Sequence, residues 1–216
     1  NEALSKLNYP LYHLDFETFT PTLPIYNNTS PSQVIPFQYS LHIEHEDNTI
    51  EHKEYLAQNP LIDPREELIV RLLNDIKGDS SIVVYSTYEA TTLKNLADEF
   101  PEYSEELLSI RSRLWDLAEI FNKRYINFYQ LKNKYSLKYV MPILVPKMSN
   151  KYLELKENGH VSYGEEASNA FLELMTEKDS ATLKTIREEL LKYCKLDTES
   201  MVESLRAVRV LNTGVS

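Results

Sequence analysis

The chain has 216 residues, 42% of them hydrophobic, a net charge of -10 and a mean hydropathy of -0.41. With no apolar run near about 18 residues, it excludes a membrane span and reads as one well-buried domain over residues 1–216. A lone cysteine, Cys194, excludes an internal disulfide framework and points to a reducing compartment, the cytoplasm. The first residue is Asn1 and no basic-then-apolar leader follows, so the expectation is a piece of a longer protein.

Strand-like runs cover about 9–19, 34–45 and 49–57. The last two are joined by Glu46, Asp47 and Asn48, a short turn signal, which predicts a meander. Asp63 then reads as an N-cap, Pro64 as the first helical residue and Gly78 as the C-cap of an amphipathic helix. Residues 80–86, SSIVVYS, form a short apolar run of the kind buried on both faces of a sheet. A helix over about 88–99 follows, starting at Glu89, and a long helical pattern covers 104–124. The run YSLKYVMPILVP, with two prolines, reads as irregular, and a helix is expected around 163–176. The final segment, 180–211, carries Leu183, Ile186, Leu190, Cys194, Met201, Val202 and Leu205 at helical spacing and is expected to bend or break. This order predicts an α/β fold, a mixed sheet with helices on its faces.

The first strand carries two acids, Asp15 and Glu17. Alternation puts them on one face with Leu11 and His13, and puts Tyr12, Leu14 and Phe16 on the other. Paired negative charges in a core require a positive partner, and for hard oxygen ligands a divalent cation fits. Two further acids stand in suggestive places. Glu89 is in the first turn of the helix after the apolar strand, where it also suits the helix dipole alone. Asp197 follows Tyr193 by four residues, so phenol and carboxylate share a helix face. Together, Asp15, Glu17, Glu89 and Asp197 can converge on two Mg²⁺ or Mn²⁺ ions about 3.5–4 Å apart, with Tyr193 holding the attacking water.

Other chemistries find less support. The histidines lack zinc-like spacing, and His13 reads as a hydrogen-bonded structural residue. Cys194 has no paired histidine and reads as a small core residue, and the four glycines form no phosphate loop or nucleophile elbow. The overall charge argues against nucleic acid, but residues 123–156 hold eight basic side chains and one acid, Glu154, interleaved with Tyr125, Phe128, Tyr129, Tyr135, Tyr139 and Tyr152. Cations beside flat rings suit a single-strand groove, and they equally suit a solvated basic face.

The stretches HLDFETF (13–19), VVYSTYEATTLKNLA (83–97) and YCKLD (193–197) resemble the three motifs of the DEDD (DnaQ-like) 3′-5′ exonucleases, tyrosine subgroup. LDFET, IPFQYSLH, SLKYVMP and YCKLDTESMV together resemble an uncharacterised bacterial family of predicted nucleases within that superfamily. The resemblance implies a ribonuclease H-like fold, with a five-stranded mixed sheet made of a three-stranded antiparallel meander plus parallel strands. It makes Asp15, Glu17, Glu89 and Asp197 ligands of two divalent ions and Tyr193 the water-orienting group. Glu89 stands where the family has Asp, with Ser86 in place of a common Asn, and Asp116 is the reserve ligand. Nucleic-acid contacts are expected at Thr18, Phe19, Lys132, Lys134, Tyr135 and Lys138. The expected function is a metal-dependent 3′-5′ exonuclease acting on a single-stranded 3′ end. The alternatives are a weak or inactive nucleic-acid-binding module serving further domains of the parent protein, an endonuclease of the same fold, and a structural domain.

Overall fold

A computed structural model describes residues 4–157 and 161–213. Strand β1 (Leu11–Phe19) lies at the centre of a five-stranded sheet in the order β3-β2-β1-β4-β5, with β2 spanning Ile35–Glu44, β3 Ile50–Leu56, β4 Ile82–Val84 and β5 Leu114–Asp116. The first three strands form the antiparallel meander, while β4 pairs with β1, and β5 with β4, in parallel. Helices α1 (Arg65–Asp75), α2 (Tyr88–Glu99), α3 (Ser104–Ser112) and α4 (Glu119–Asn122) connect or follow these strands. Next come α5 (Leu137–Leu144), α6 (Pro146–Glu157), α7 (Gly164–Glu173) and α8 (Ser180–Thr213). Among the described residues, no helix is long and apolar enough to cross a membrane.

The pairing of β1 with β2 sorts the side chains by face. Tyr12, Leu14 and Phe16 stand opposite Ile43, Leu41 and Tyr39, and this apolar face packs with Leu68, Ile69 and Leu72 of α1. Leu11, His13, Asp15 and Glu17 stand opposite Glu44, His42, Ser40 and Gln38, making the other face polar. Alternation of this kind ordinarily marks a sheet with one wet side. Here α8 covers the polar face, and all ten residues of β2 are buried. Several of the polar groups are paired across the seam, although His13 Nδ1 and Gln38 Oε1 have no partner among the described residues. Gln38 Nε2 donates to the Leu190 carbonyl at 2.9 Å, and the Thr198 hydroxyl lies 2.7 Å from both Ser40 Oγ and His42 Nδ1. Arg206 Nε donates to Glu44 at 2.9 Å. Such pairing is what permits burial of these groups.

Four local readings change. The pattern over 104–124 is not one helix: it stops at Ser112, and the backbone turns to pair with β4, Ile82 N donating to the Arg113 carbonyl and Leu117 N to the Val84 carbonyl. A three-residue strand leaves no periodic signal. The run read as irregular is helical, with Pro142 inside α5; α6 begins at Pro146, where a missing N–H costs nothing. The last segment does not break into two elements but forms one 34-residue helix, in keeping with a stretch free of Gly and Pro. In α1 the helix starts after Pro64, with Asp63 Oδ1 accepting from Arg65 N, and ends at Asp75; Gly78, at φ +69°, sits in the following turn.

Candidate functional site

Because β1, β4 and β5 run parallel, their carboxyl ends lie together, the usual location of ligand sites in such sheets. Asp15 and Glu17 project there from β1, and Glu89 is in the first turn of α2 just past β4. Asp197 comes from the middle of α8, which crosses the same face. All four carboxyls are held above their ordinary pKa. For Asp15 the largest cause is burial, followed by the charges of Asp197, Glu17 and Glu89. Glu17 is raised by burial, then by Asp197 and Glu89. Burial pushes Glu89 up to about 8, with Asp116 adding to the rise and a hydrogen bond to Asp15 opposing it. Asp197 is pushed up to about 6 by burial, against hydrogen bonds from Tyr152 and Tyr193.

The arrangement therefore gathers four acids from three elements, and no Lys or Arg is among the leading influences on any of them. Glu89 Oε2 is buried and, among the described residues, has no hydrogen-bond partner. An orphaned buried carboxylate oxygen costs free energy that a bound cation would recover. The donors are hard oxygens, the set that suits Mg²⁺ or Mn²⁺. Ligand atoms of Asp15, Glu17 and Cys194 all lie within 4.8 Å of one another, a spacing that one ion can bridge after small adjustments.

Asp197 is gripped from two sides. Tyr193, one turn earlier on α8, reaches it as the i, i+4 spacing implies, and the Tyr152 phenol of α6 donates to Asp197 Oδ1. Tyr152 Oη is also 3.2 Å from Ser200 Oγ. The sequence places Tyr152 only among the aromatics of the basic stretch, because its helix carries no visible periodic signal. The reserve acid, Asp116, has one oxygen engaged by the backbone. Its Oδ1 accepts from Ser86 N at 2.9 Å and Ala118 N at 2.8 Å, tying the ends of β4 and β5 together. It thereby holds Ser86 at φ 124°, a strained conformation of the kind retained where a loop must be aimed.

A cleft of about 1050 Å³ opens beside Asp15 and Asp197, while Glu17 lines a smaller hollow next to it. Asp15, Tyr193 and Asp197 form part of the cleft floor, Tyr85, Tyr135, Lys138, Tyr152 and Lys156 line its walls, and Ser162, Tyr163 and Gly164 stand at the start of α7. Of the residues expected to touch nucleic acid, Tyr135 and Lys138 therefore face the cleft. Thr18 lines the smaller adjoining hollow and lies 2.5 Å from the Tyr88 hydroxyl. Lys132 and Lys134 are exposed outside the cleft lining, and the ammonium groups of Lys134 and Lys138 lie 5.0 and 5.6 Å from the Tyr139 ring centroid. Phe19 is a correction. Its ring is 1% exposed and packs against Phe37, Phe171 and Tyr26, so it belongs to the core and offers no face to a base. Parts of the basic stretch are also engaged elsewhere, with Lys123 paired to Glu119 and Lys151 to Glu199, both at 2.6 Å.

The class defined here is an α/β protein, a five-stranded mixed sheet between helices, with two members of a buried acid cluster, Asp15 and Asp197, lining a cleft. The chain belongs to the family described as a domain of unknown function, DUF2779, whose model matches residues 12–136. That match includes β1 from its second residue onward, Glu89 and Asp116, and ends before Tyr193 and Asp197. The chain is also 30% identical over 217 aligned residues to an uncharacterised protein of Mycoplasma genitalium. The alignment covers 92% of this chain and 32% of that relative, so the chain spans about a third of the curated relative's length. No solved structure matches the chain.

Proposed function

We propose that this domain is a metal-dependent nuclease of ribonuclease H-like fold that removes nucleotides from a single-stranded 3′ end. The observation that carries the reading is the convergence of Asp15, Glu17, Glu89 and Asp197, each raised in pKa by burial with no basic neighbour as a leading counterweight. The sheet order and its three antiparallel and two parallel strands support the fold assignment. Lys138, Lys156, Tyr85 and Tyr135 along the cleft support a substrate with phosphates and flat bases.

In this reading the four carboxylates hold Mg²⁺ or Mn²⁺, which when bound supply an activated water and charge stabilisation for phosphodiester hydrolysis. The chain's own groups do the rest. The Tyr193 phenol is raised in pKa by burial and by Asp197, so it stays protonated; it donates to Asp197 and leaves an oxygen lone pair to orient a water. Tyr152 fixes the other side of the same carboxylate. Glu89, one methylene longer than the Asp of the resembled family, is raised to about 8, so it gives up a proton when a cation arrives.

The deciding experiment is incubation of the domain with 3′-labelled and 5′-labelled single-stranded DNA and RNA in Mn²⁺, Mg²⁺ or chelator, beside Asp15→Asn. Stepwise shortening from the 3′ end that needs metal and disappears in the variant supports the proposal. Binding without cleavage would make it a nucleic-acid-binding module, and internal cuts an endonuclease. Absence of both cleavage and binding would reject the reading.

A further inference from the structure

Cys194 is the only cysteine of the chain and is fully buried, yet it does not sit in a purely apolar setting. It projects from α8 toward β1, with Sγ 3.8 Å from Asp15 Oδ2 and 4.0 Å from the Asp15 carbonyl. Its sulfur and one oxygen each from Asp15 and Glu17 lie mutually within 4.8 Å. A tetrahedral ion at about 2.3 Å from sulfur and about 2.1 Å from oxygen holds those two atoms about 3.6 Å apart. The observed 3.8 Å between Cys194 and Asp15 is already close to that separation. A second observation points to a ligand beside this group: Glu89, hydrogen-bonded to Asp15, keeps a buried Oε2 without a partner among the described residues.

We infer that the site has a second, thiophilic mode, in which one Zn²⁺ binds on Asp15, Glu17 and the Cys194 sulfur, with a water as the fourth ligand. Hard ions such as Mg²⁺ and Mn²⁺ have no use for the sulfur, whereas Zn²⁺ takes a thiolate with carboxylates in a four-coordinate set. Binding in this mode breaks the S–H bond, forms a metal–sulfur bond and releases one proton to solvent. Because the zinc mode uses Asp15 and Glu17, it competes with occupancy by hard ions. The inference shares these carboxylates with the reading above but does not require that any bond be hydrolysed.

Cd²⁺ is the probe, since its thiolate complex has an ultraviolet charge-transfer absorption that carboxylates do not produce. Titration of the metal-free chain is expected to raise this band to a plateau at one ion per chain. Because the chain has a single cysteine, the band reports that residue alone. Cys194→Ser and Cys194→Ala, each checked for folding by circular dichroism, are expected to lose the band. They are also expected to weaken Zn²⁺ at least about 10-fold more than they weaken Mn²⁺, as measured by calorimetry. No band in the parent chain, or equal losses for Zn²⁺ and Mn²⁺ in both variants, overturns the inference. Mn²⁺-dependent 3′ shortening without the band would remove the zinc mode and leave the nuclease. The band without any nucleic-acid cleavage or binding would do the reverse.

Discussion

Replacing Glu89 by Gln keeps the side chain's length and removes the charge that the acid cluster resists. Burial of Glu89 pushes its carboxyl from 4.5 to about 8. For an acid raised in the folded state, the native chain binds more protons than the unfolded chain between those two values. The stability of the neutral form is therefore fully present below about pH 4.5 and is lost as pH rises through 8. At about 1.4 kcal/mol per unit, complete ionisation at pH 9 opposes folding by on the order of 4–5 kcal/mol. An amide at this position still leaves polar atoms to satisfy, at about 1–2 kcal/mol. Glu89→Gln is accordingly expected to stabilise the chelator-treated chain by roughly 2–4 kcal/mol at pH 9, with the gain crossing zero between about pH 5 and 6 and the variant less stable by about 1–2 kcal/mol below pH 4.5. Urea unfolding of both chains from pH 5 to 9 measures it. The difference between the chains cancels the histidines, of which His42 and His52 are held down at about 3 and 4, chiefly by burial, and destabilise the fold as pH falls below 6.5. Saturating Mn²⁺ should reverse the order, since an ion at 1,000 times its Kd adds about 4.1 kcal/mol to the chain that binds it. A variant less stable than the parent at pH 9 in chelator, with equal Mn²⁺ gains in both, would refute an uncompensated acid cluster.

Three further outcomes follow from particular contacts. Asp116→Asn keeps the oxygen that accepts from Ser86 and Ala118 and should retain stability and Mn²⁺ affinity, whereas Asp116→Ala orphans two N–H groups and should cost about 1–3 kcal/mol in urea unfolding. Tyr152→Phe removes the donor that α6 supplies to Asp197; calorimetry should show Mn²⁺ affinity reduced about 10-fold, with the loss concentrated in kcat rather than KM if cleavage is present. Lys138→Ala and Lys156→Ala, both on the cleft wall, should each lower the salt slope of single-strand binding by about 0.7, read by fluorescence anisotropy, while Lys123→Ala, paired to Glu119, should not.

Much of the candidate site could be read from the linear order of residues. Strand parity alone places Asp15 and Glu17 on one face, and helical spacing alone places Tyr193 beside Asp197, because both periods are properties of the backbone. The meander, α1 and the apolar β4 were legible for the same reason. Length worked against other elements: three residues of β5 and four of α4 are too short to express any period, and prolines at 142 and 146 disguised α5 and α6. With α6 unseen, Tyr152 had no route to Asp197, 45 positions away.

What the sequence by itself determined is therefore which side chains share a face, together with the charge that each face must carry. Only the tertiary structure decided what lies across from those faces. The alternation of β2, Phe37, Gln38, Tyr39, Ser40, Leu41, His42, would serve equally well on a sheet with one side in water. The packing of α8 over that side turns its polar residues into a buried, partly paired seam and brings Asp197 and Cys194 down onto Asp15. Likewise, Phe19 reads as continuing the acid-bearing strand, but the register shift between Glu17 and Thr18 accompanies its placement against Phe37 and Phe171 in the core. Local periodicity orients side chains within one element, whereas contact between elements distant in sequence is settled by which faces can be buried together, and that choice is made by the whole fold at once.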